Sequence, residues 1–267
     1  MKMHLNGLLV EADEARIDPT DRGLTLGDGL FETIAVRGAK PSRLDAHLAR
    51  LRDGADVLGL NLPTKDRDLK GALQDVIEAN DVDEGLLRLT VTRGPAPRGL
   101  LPPTPSQPTV MIVAFSQALT PMMAVSAVIS TTTRRNEHSP LARIKTTNFL
   151  DGILAGQEAA KRGADDALLL NTAGNLAEAS TSNLFLVLGG TPVTPLLAEG
   201  ALPGVMRADV IKALGARERS LKPSDLGLAS EAFLTNSAGI RALVSVDGVA
   251  IGEGTPGPVT KAAQKIV

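Results

Sequence analysis

Cysteine, tryptophan and tyrosine are all missing from this chain of 267 residues. Without a thiol there is no disulfide, no thiolate metal site and no cysteine nucleophile. Without tyrosine there is no phenol to act as a general acid, and the aromatic content shrinks to five phenylalanines. The three histidines, His4, His47 and His138, lack metal-ligand spacing, so no metal is expected. A surplus of either charge is also missing: the formal net charge is -2, without the basic stripe a nucleic-acid surface needs. No stretch reaches the roughly eighteen apolar residues of a membrane span, and the first seven residues contain no long apolar run of a signal peptide. The expectation is a cytoplasmic protein with small-molecule partners, without nucleic acid or membrane.

What is present is a sizeable core fraction, 43% hydrophobic against 22% charged, with the charges mixed rather than blocked. The length favours two packed lobes. Asn6-Gly7 between apolar residues signals a hairpin, and Leu30 to Val36 reads as a strand after Gly27-Asp28-Gly29. Helices are expected from Asp45, as cap, to Gly59, and from about Asp66 to Asn80, where Leu69, Leu73, Val76 and Ile77 share a face. Leu87, Leu89 and Val91 alternate with Arg88, Thr90 and Thr92 as a half-buried strand, and Thr109 to Phe115 is an apolar strand. Between them, Arg93 to Pro103 is too rich in proline and glycine for a regular element and reads as a loop near a site.

A turn-rich stretch divides the chain into a smaller domain, 1–116, a linker, 117–121, and a larger domain, 122–267. The second half continues with a strand from Val125 to Thr131, a helix from Asn148, as cap, to Arg162, and a hairpin around Asn171 to Asn175. Strands follow at Asn183 to Leu188, Ala232 to Thr235 and Ala242 to Val246.

Five places could carry chemistry. Within Arg143-Ile-Lys-Thr-Thr-Asn-Phe-Leu150, Lys145 ends a short extended segment ahead of the Asn148 cap; a lysine held there and partly desolvated can attack a carbonyl, although a lone lysine is more often a solvated charge. Glu178 sits at a strand end before a polar patch, either as a surface carboxylate or as the group that keeps a pyridine nitrogen protonated. Leu202-Pro-Gly-Val-Met-Arg207 opens a helix, and the free N–H groups of Val205 and Met206 form a potential anion site. Thr235-Asn236-Ser237 offers further donors, or a plain turn. Arg50 is either an exposed helix residue or a phosphate clamp.

Taken together and in order, Gly27-Asp-Gly-Leu-Phe-Glu-Thr33, His47-Leu-Ala-Arg-Leu51, Arg143 to Leu150, Glu178 with Ser182-Asn-Leu-Phe185, and Leu202 to Arg207 resemble the class IV aminotransferases. That family includes D-amino-acid aminotransferase, branched-chain aminotransferase and 4-amino-4-deoxychorismate lyase. The resemblance implies a homodimer of α+β, two-lobed fold-type IV subunits: a smaller N-terminal α/β lobe, a larger C-terminal mixed-sheet pseudo-barrel, and pyridoxal 5'-phosphate in the cleft between them. It makes Lys145 the Schiff-base lysine and Glu178 the partner of the ring nitrogen. Arg50, the amides of Val205 and Met206, and Asn236 with Ser237 become phosphate ligands, and Leu202 packs against the ring.

Substrate recognition is the less complete part of the match. Arg98 falls where D-amino-acid aminotransferases hold the substrate α-carboxylate, while Phe31 and Leu100 replace the tyrosine and histidine of that trap. The favoured function is therefore transfer of an amino group from a small amino acid, a D-amino acid first, to a 2-oxo acid. The alternatives are the lyase, releasing pyruvate and an aromatic amine, and a non-catalytic small-ligand binder. Arg143 is the candidate for a hydrogen bond to the ring oxygen that no tyrosine can supply.

Overall fold

A computed structural model describes residues 1–119 and 123–267, which fall into two compact units. The first comprises Met1–Leu119 with Ile144–Asn148, and the second comprises residues 123–143 with Phe149–Val267. Of the expected linker, residues 117–119 belong to the first unit, and 120 and 121 lie outside the described residues. A division at one linker does not foresee that Ile144–Asn148 returns to the first unit.

In the first unit, β1 (Lys2–Leu5) and β2 (Leu8–Glu11) pair around Asn6-Gly7, both of which have positive φ, 49° and 92°, as a tight hairpin requires. They are followed by α1 (Arg22–Leu26), β3 (Gly29–Arg37), β4 (Lys40–Pro41), α2 (Leu44–Leu58), α3 (Asp66–Ala79), β5 (Glu84–Thr92) and β6 (Thr109–Ser116). The antiparallel sheet runs β2-β1-β6-β5-β3-β4. Leu30, Ile34 and Val36 of β3, Leu87, Leu89 and Val91 of β5, and Val110, Ile112 and Ala114 of β6 point to one face, the period-two pattern of a half-buried sheet. Leu48, Leu51 and Ala55 of α2 and Leu69, Leu73, Val76 and Ile77 of α3 complete this core. Asp45 is not the cap of α2: Arg43, in the left-handed conformation with φ 55°, precedes the first turn, where Asp45 faces the positive helix end.

The second unit contains β7 (Val125–Ile129), α4 (Leu150–Lys161), β8 (Asp166–Leu170), β9 (Leu176–Ala179), β10 (Asn183–Leu188), β11 (Thr191–Thr194), α5 (Val205–Leu214), β12 (Arg217–Glu218), β13 (Glu231–Asn236), β14 (Gly239–Val246), β15 (Val249–Ala250) and α6 (Pro258–Gln264). Its mixed sheet runs β12-β11-β10-β13-β14-β7-β8-β9, with β15 on β14. Only three residues join β9 to β10, yet these strands stand at opposite ends of most of that path, so the sheet must curl round on itself. Leu168, Leu184, Leu186, Leu234 and Leu243 fill one side of the curl; α5 and α6 cover Phe185 and Phe233, and α4 covers Val128 and Leu169, on the other. The α4 helix starts later than expected, at Leu150 after Phe149, because the residues before it are taken up by pairing in the first unit. Among the described residues no helix is long and apolar enough to cross a membrane.

Candidate active site

Lys145 is fixed through its backbone. The Phe31 N–H donates to the Lys145 carbonyl at 2.9 Å, Thr147 N donates to the Gly29 carbonyl at 2.9 Å, and the Thr147 hydroxyl reaches the Gly27 carbonyl at 2.8 Å. The extended segment expected from the sequence thus meets the start of β3 through an isolated antiparallel bridge, Leu30 with Thr146. Lys145 Nζ lies 4.4 Å from the centroid of the Phe31 ring. On the same sheet face, Arg88 stands opposite Thr33, and its guanidinium carbon lies 3.2 Å from the same centroid. Burial lowers the Arg88 pKa to about 10, against an opposing pull from the Glu32 carboxylate. Sequence alternation marked Arg88 only as the polar side of a strand; its place beside Lys145 over the Phe31 ring is a matter of tertiary structure.

On the other face of β3 Glu32 is fully buried, in phase with Leu30, Ile34 and Val36. It accepts from Arg50 Nε at 2.8 Å and Nη2 at 2.5 Å, and pairs with His47 Nδ1 at 2.7 Å. Arg50 is therefore no exposed helix residue: its side chain is 9% accessible and directed by a carboxylate. Burial alone would raise the Glu32 pKa, but the hydrogen bonds and charges of His47 and Arg50 outweigh it and hold the carboxyl below its ordinary value.

Arg98 and Leu100 lie in an exposed loop, with Leu100 83% accessible. That loop is anchored from behind. Arg22 donates to the Gly99 and Leu100 carbonyls, each at 2.8 Å, and to Asp28 Oδ2 at 2.8 Å. Arg93 meets the same Asp28 oxygen at 2.8 Å and closes the end of α2 through the Leu58 and Gly59 carbonyls. Asp28, between the two glycines of the sequence motif, is the shared counter-ion.

In the second unit Glu178 is buried in β9. Its Oε1 pairs with Arg135 Nε at 3.0 Å, and its Oε2 accepts from the Leu202 N–H at 2.9 Å. The Leu202 carbonyl in turn accepts from Asn183 Nδ2 at 2.8 Å. Asn183 packs so closely on Gly204 that a Cβ there would sit 1.9 Å from its Oδ1. Gly204 is the N-cap of α5 and provides no side chain to the helix start, and the N–H groups of Val205 and Met206 have no acceptor among the described residues. A run of contacts thus joins a carboxylate to an uncapped helix N-terminus of ten residues.

Asn236 also belongs to this unit's polar network: its amide donates to Ser182 Oγ at 3.1 Å while its oxygen closes the turn to Ala238. Ser237 is half-buried in that turn, and Arg143 is exposed. Arg241 bridges Ser182 and Asp166. Sequence reasoning did not find Arg135, because nothing in Thr133-Arg-Arg-Asn136 distinguishes it from a solvated turn. Both units fit the parts of pyridoxal phosphate. A lysine is held beside an aromatic ring, a pinned carboxylate suits a pyridinium, and uncapped amides beside a glycine that must lack a Cβ suit a phosphate.

The family described as amino-transferase class IV matches residues 29–246. The chain is 32% identical to the D-alanine aminotransferase of Bacillus licheniformis, over 99% of this chain and 95% of that one. Among solved structures, the Escherichia coli branched-chain amino acid aminotransferase superposes with a TM-score of 0.93 at 30% identity, covering 99% of this chain and 92% of that one. A Legionella pneumophila protein named as a candidate 4-amino-4-deoxychorismate lyase superposes with a TM-score of 0.86 at 30% identity, covering 94% of each chain.

Proposed function

The chain belongs to the class IV aminotransferases, pyridoxal-phosphate enzymes of fold type IV, and from that membership we propose that it moves the amino group of a small amino acid, a D-amino acid first, to a 2-oxo acid. The observation that carries this reading is the backbone-locked Lys145, with its amine beside the Phe31 ring over which Arg88 also lies. When bound, pyridoxal phosphate supplies an aldehyde for that amine and a ring that takes up the electrons of a carbanion.

The chain's own residues do the rest. Lys145 Nζ would take the substrate α-proton as a base and give a proton back as an acid. Glu178, fixed by Arg135 and the Leu202 N–H, keeps the ring nitrogen protonated. Val205 and Met206 N–H, Arg50, and Asn236 with Ser237 hold the phosphate, and Leu202 packs against the ring. Arg88, whose side chain makes no hydrogen bond to a described residue, is the arginine on the lysine's side of the sheet for a substrate carboxylate. Arg98 is the second such arginine, and Phe31 and Leu100 give the pocket its apolar lining. The preference for a D-amino acid rests on Arg98 in its loop, and the homodimer remains part of the proposal.

A panel of D- and L-amino acids with 2-oxo acids tests the reading, beside aminodeoxychorismate and light scattering for the dimer. Small D-amino acids are expected to be turned over faster than their L-forms. The reverse order removes the D preference, and pyruvate release from aminodeoxychorismate without amino transfer moves the assignment to the lyase.

A further inference from the structure

A carboxylate at a core position of a sheet is costly unless charged partners and hydrogen bonds compensate it. Glu32 occupies such a position, fully buried between Leu30 and Ile34 on the core face of β3. Its two partners, His47 and Arg50, are three residues apart on one face of α2. Neither Glu32 nor His47 has a part in the chemistry described above. The geometry nevertheless shows what they do. Two bonds, from Arg50 Nε and Nη2, fix both the plane and the direction of the guanidinium. The ionised carboxylate only accepts, so His47 carries its proton on Nδ1 and donates, fixing Glu32 in turn.

We propose that Glu32 and His47 are positioning residues for the cofactor phosphate: they hold Arg50 in one orientation, and so fix the direction that its guanidinium presents to the phosphate oxygens. The inference rests on the assignment of Arg50 as a phosphate ligand. Glu32 offsets much of the Arg50 charge, so what Arg50 brings is direction more than net charge. Groups fixed before binding lose less freedom when the ligand arrives.

The protein freed of cofactor is titrated by equilibrium dialysis with pyridoxal phosphate and, separately, with pyridoxal, which lacks the phosphate. The quantity read is the ratio of the two affinities. In Glu32→Gln that ratio is expected to fall about tenfold or more while pyridoxal binding stays near the wild-type value. A merely structural glutamate would weaken both ligands together, and that result overturns the proposal. Arg50→Lys leaves Glu32 and His47 in place, and so reads the same geometry if Glu32→Gln does not fold. It keeps the charge but loses the two-bond pairing, and is expected to lower the ratio as Glu32→Gln does. A ratio preserved in Arg50→Lys means that charge alone suffices, which overturns the positioning role. Arg50→Ala separates the two levels of the argument. If it leaves the ratio unchanged, Arg50 is no phosphate ligand and the underlying assignment falls; if it lowers the ratio while Glu32→Gln does not, only the positioning inference falls.

Discussion

Glu32 and Asp28 of the first unit are held differently from Glu178 of the second. In the first, charge is set against charge inside or beside an apolar core: Glu32 with Arg50 and His47, and Asp28 with Arg22 and Arg93. Around Glu178 the backbone shares the work: the carboxylate is fixed by the Leu202 N–H as well as by Arg135, and the Leu202 carbonyl fixes Asn183 beside the start of α5. The difference predicts different modes of failure. Deleting one member of a charge cluster leaves the others buried and uncompensated, whereas backbone donors survive side-chain substitution and yield only to a change that displaces the main chain.

The largest effect tests what the first unit contributes. Lys145→Ala is expected to lower kcat by about a thousandfold or more, because base, acid and covalent anchor are lost together, and borohydride should no longer attach the cofactor to the chain. Retained labelling would place the anchor elsewhere. In the second unit Glu178→Gln should keep the cofactor and lose on the order of 10² to 10³ in rate, the usual cost of one aligned electrostatic partner. Unchanged turnover would mean that another group protonates the ring.

The contrast itself is sharpened by pairing Asp28→Asn with Gly204→Ala. Asp28 is the shared partner of two arginines, so its loss should cost stability, on the order of 3 kcal/mol in chemical denaturation, as for other broken buried pairs. Gly204→Ala places a methyl group against Asn183 and should weaken cofactor binding by a larger factor than it lowers stability. If both variants lose only stability, the distinction between the units fails.

A smaller loss is expected from Arg88→Ala: kcat/KM for amino acids should fall about ten- to a hundredfold while primary amines without a carboxylate are little affected. Running Arg98→Ala alongside decides between the two arginines. If only Arg98→Ala shows this selectivity, the carboxylate is held from the loop.

The smallest effect is on pH dependence. Glu32 and Asp28 have folded pKa values below their ordinary 4.5 and 3.8. Burial opposes that shift in both, and it is outweighed by His47 and Arg50 for Glu32 and by Arg93 and Arg22 for Asp28. Their contribution to stability is therefore complete above the unfolded values and is lost as the pH falls through the lower folded ones. Denaturation midpoints between about pH 3 and 6 should decline towards acid in the wild type and less steeply in Glu32→Gln. Equal slopes would show that Glu32 does not carry the effect. Glu158 of the second unit is likewise held low: burial opposes the shift, and donors from Thr131, Ser130 and Thr132 overcome it.

Local patterns made much of the chain legible. Alternation in Leu87 to Val91 and helical spacing in Leu69 to Ile77 set the faces of β5 and α3, because side-chain period follows directly from backbone geometry. Pro203-Gly204 announced a helix start, and Lys145, Glu178 and the amides of Val205 and Met206 stood out in a recurring order of motifs. A signal for Glu32 was also there and went unread: a glutamate in phase with Leu30, Ile34 and Val36 must find a cation inside the core.

What the sequence by itself determined is therefore which residue types stand at each face of each element, since periods of two and of about 3.6 residues need no knowledge of distant neighbours. Only the tertiary structure decided the partners. That Arg135 would reach Glu178 across 43 positions, that Asp28 would join Arg22 to Arg93, and that Ile144–Asn148 would leave the second unit to pair with β3 depend on how strands far apart in sequence come side by side. Long-range pairing is fixed by the packing of the whole core, and no local window of sequence contains it.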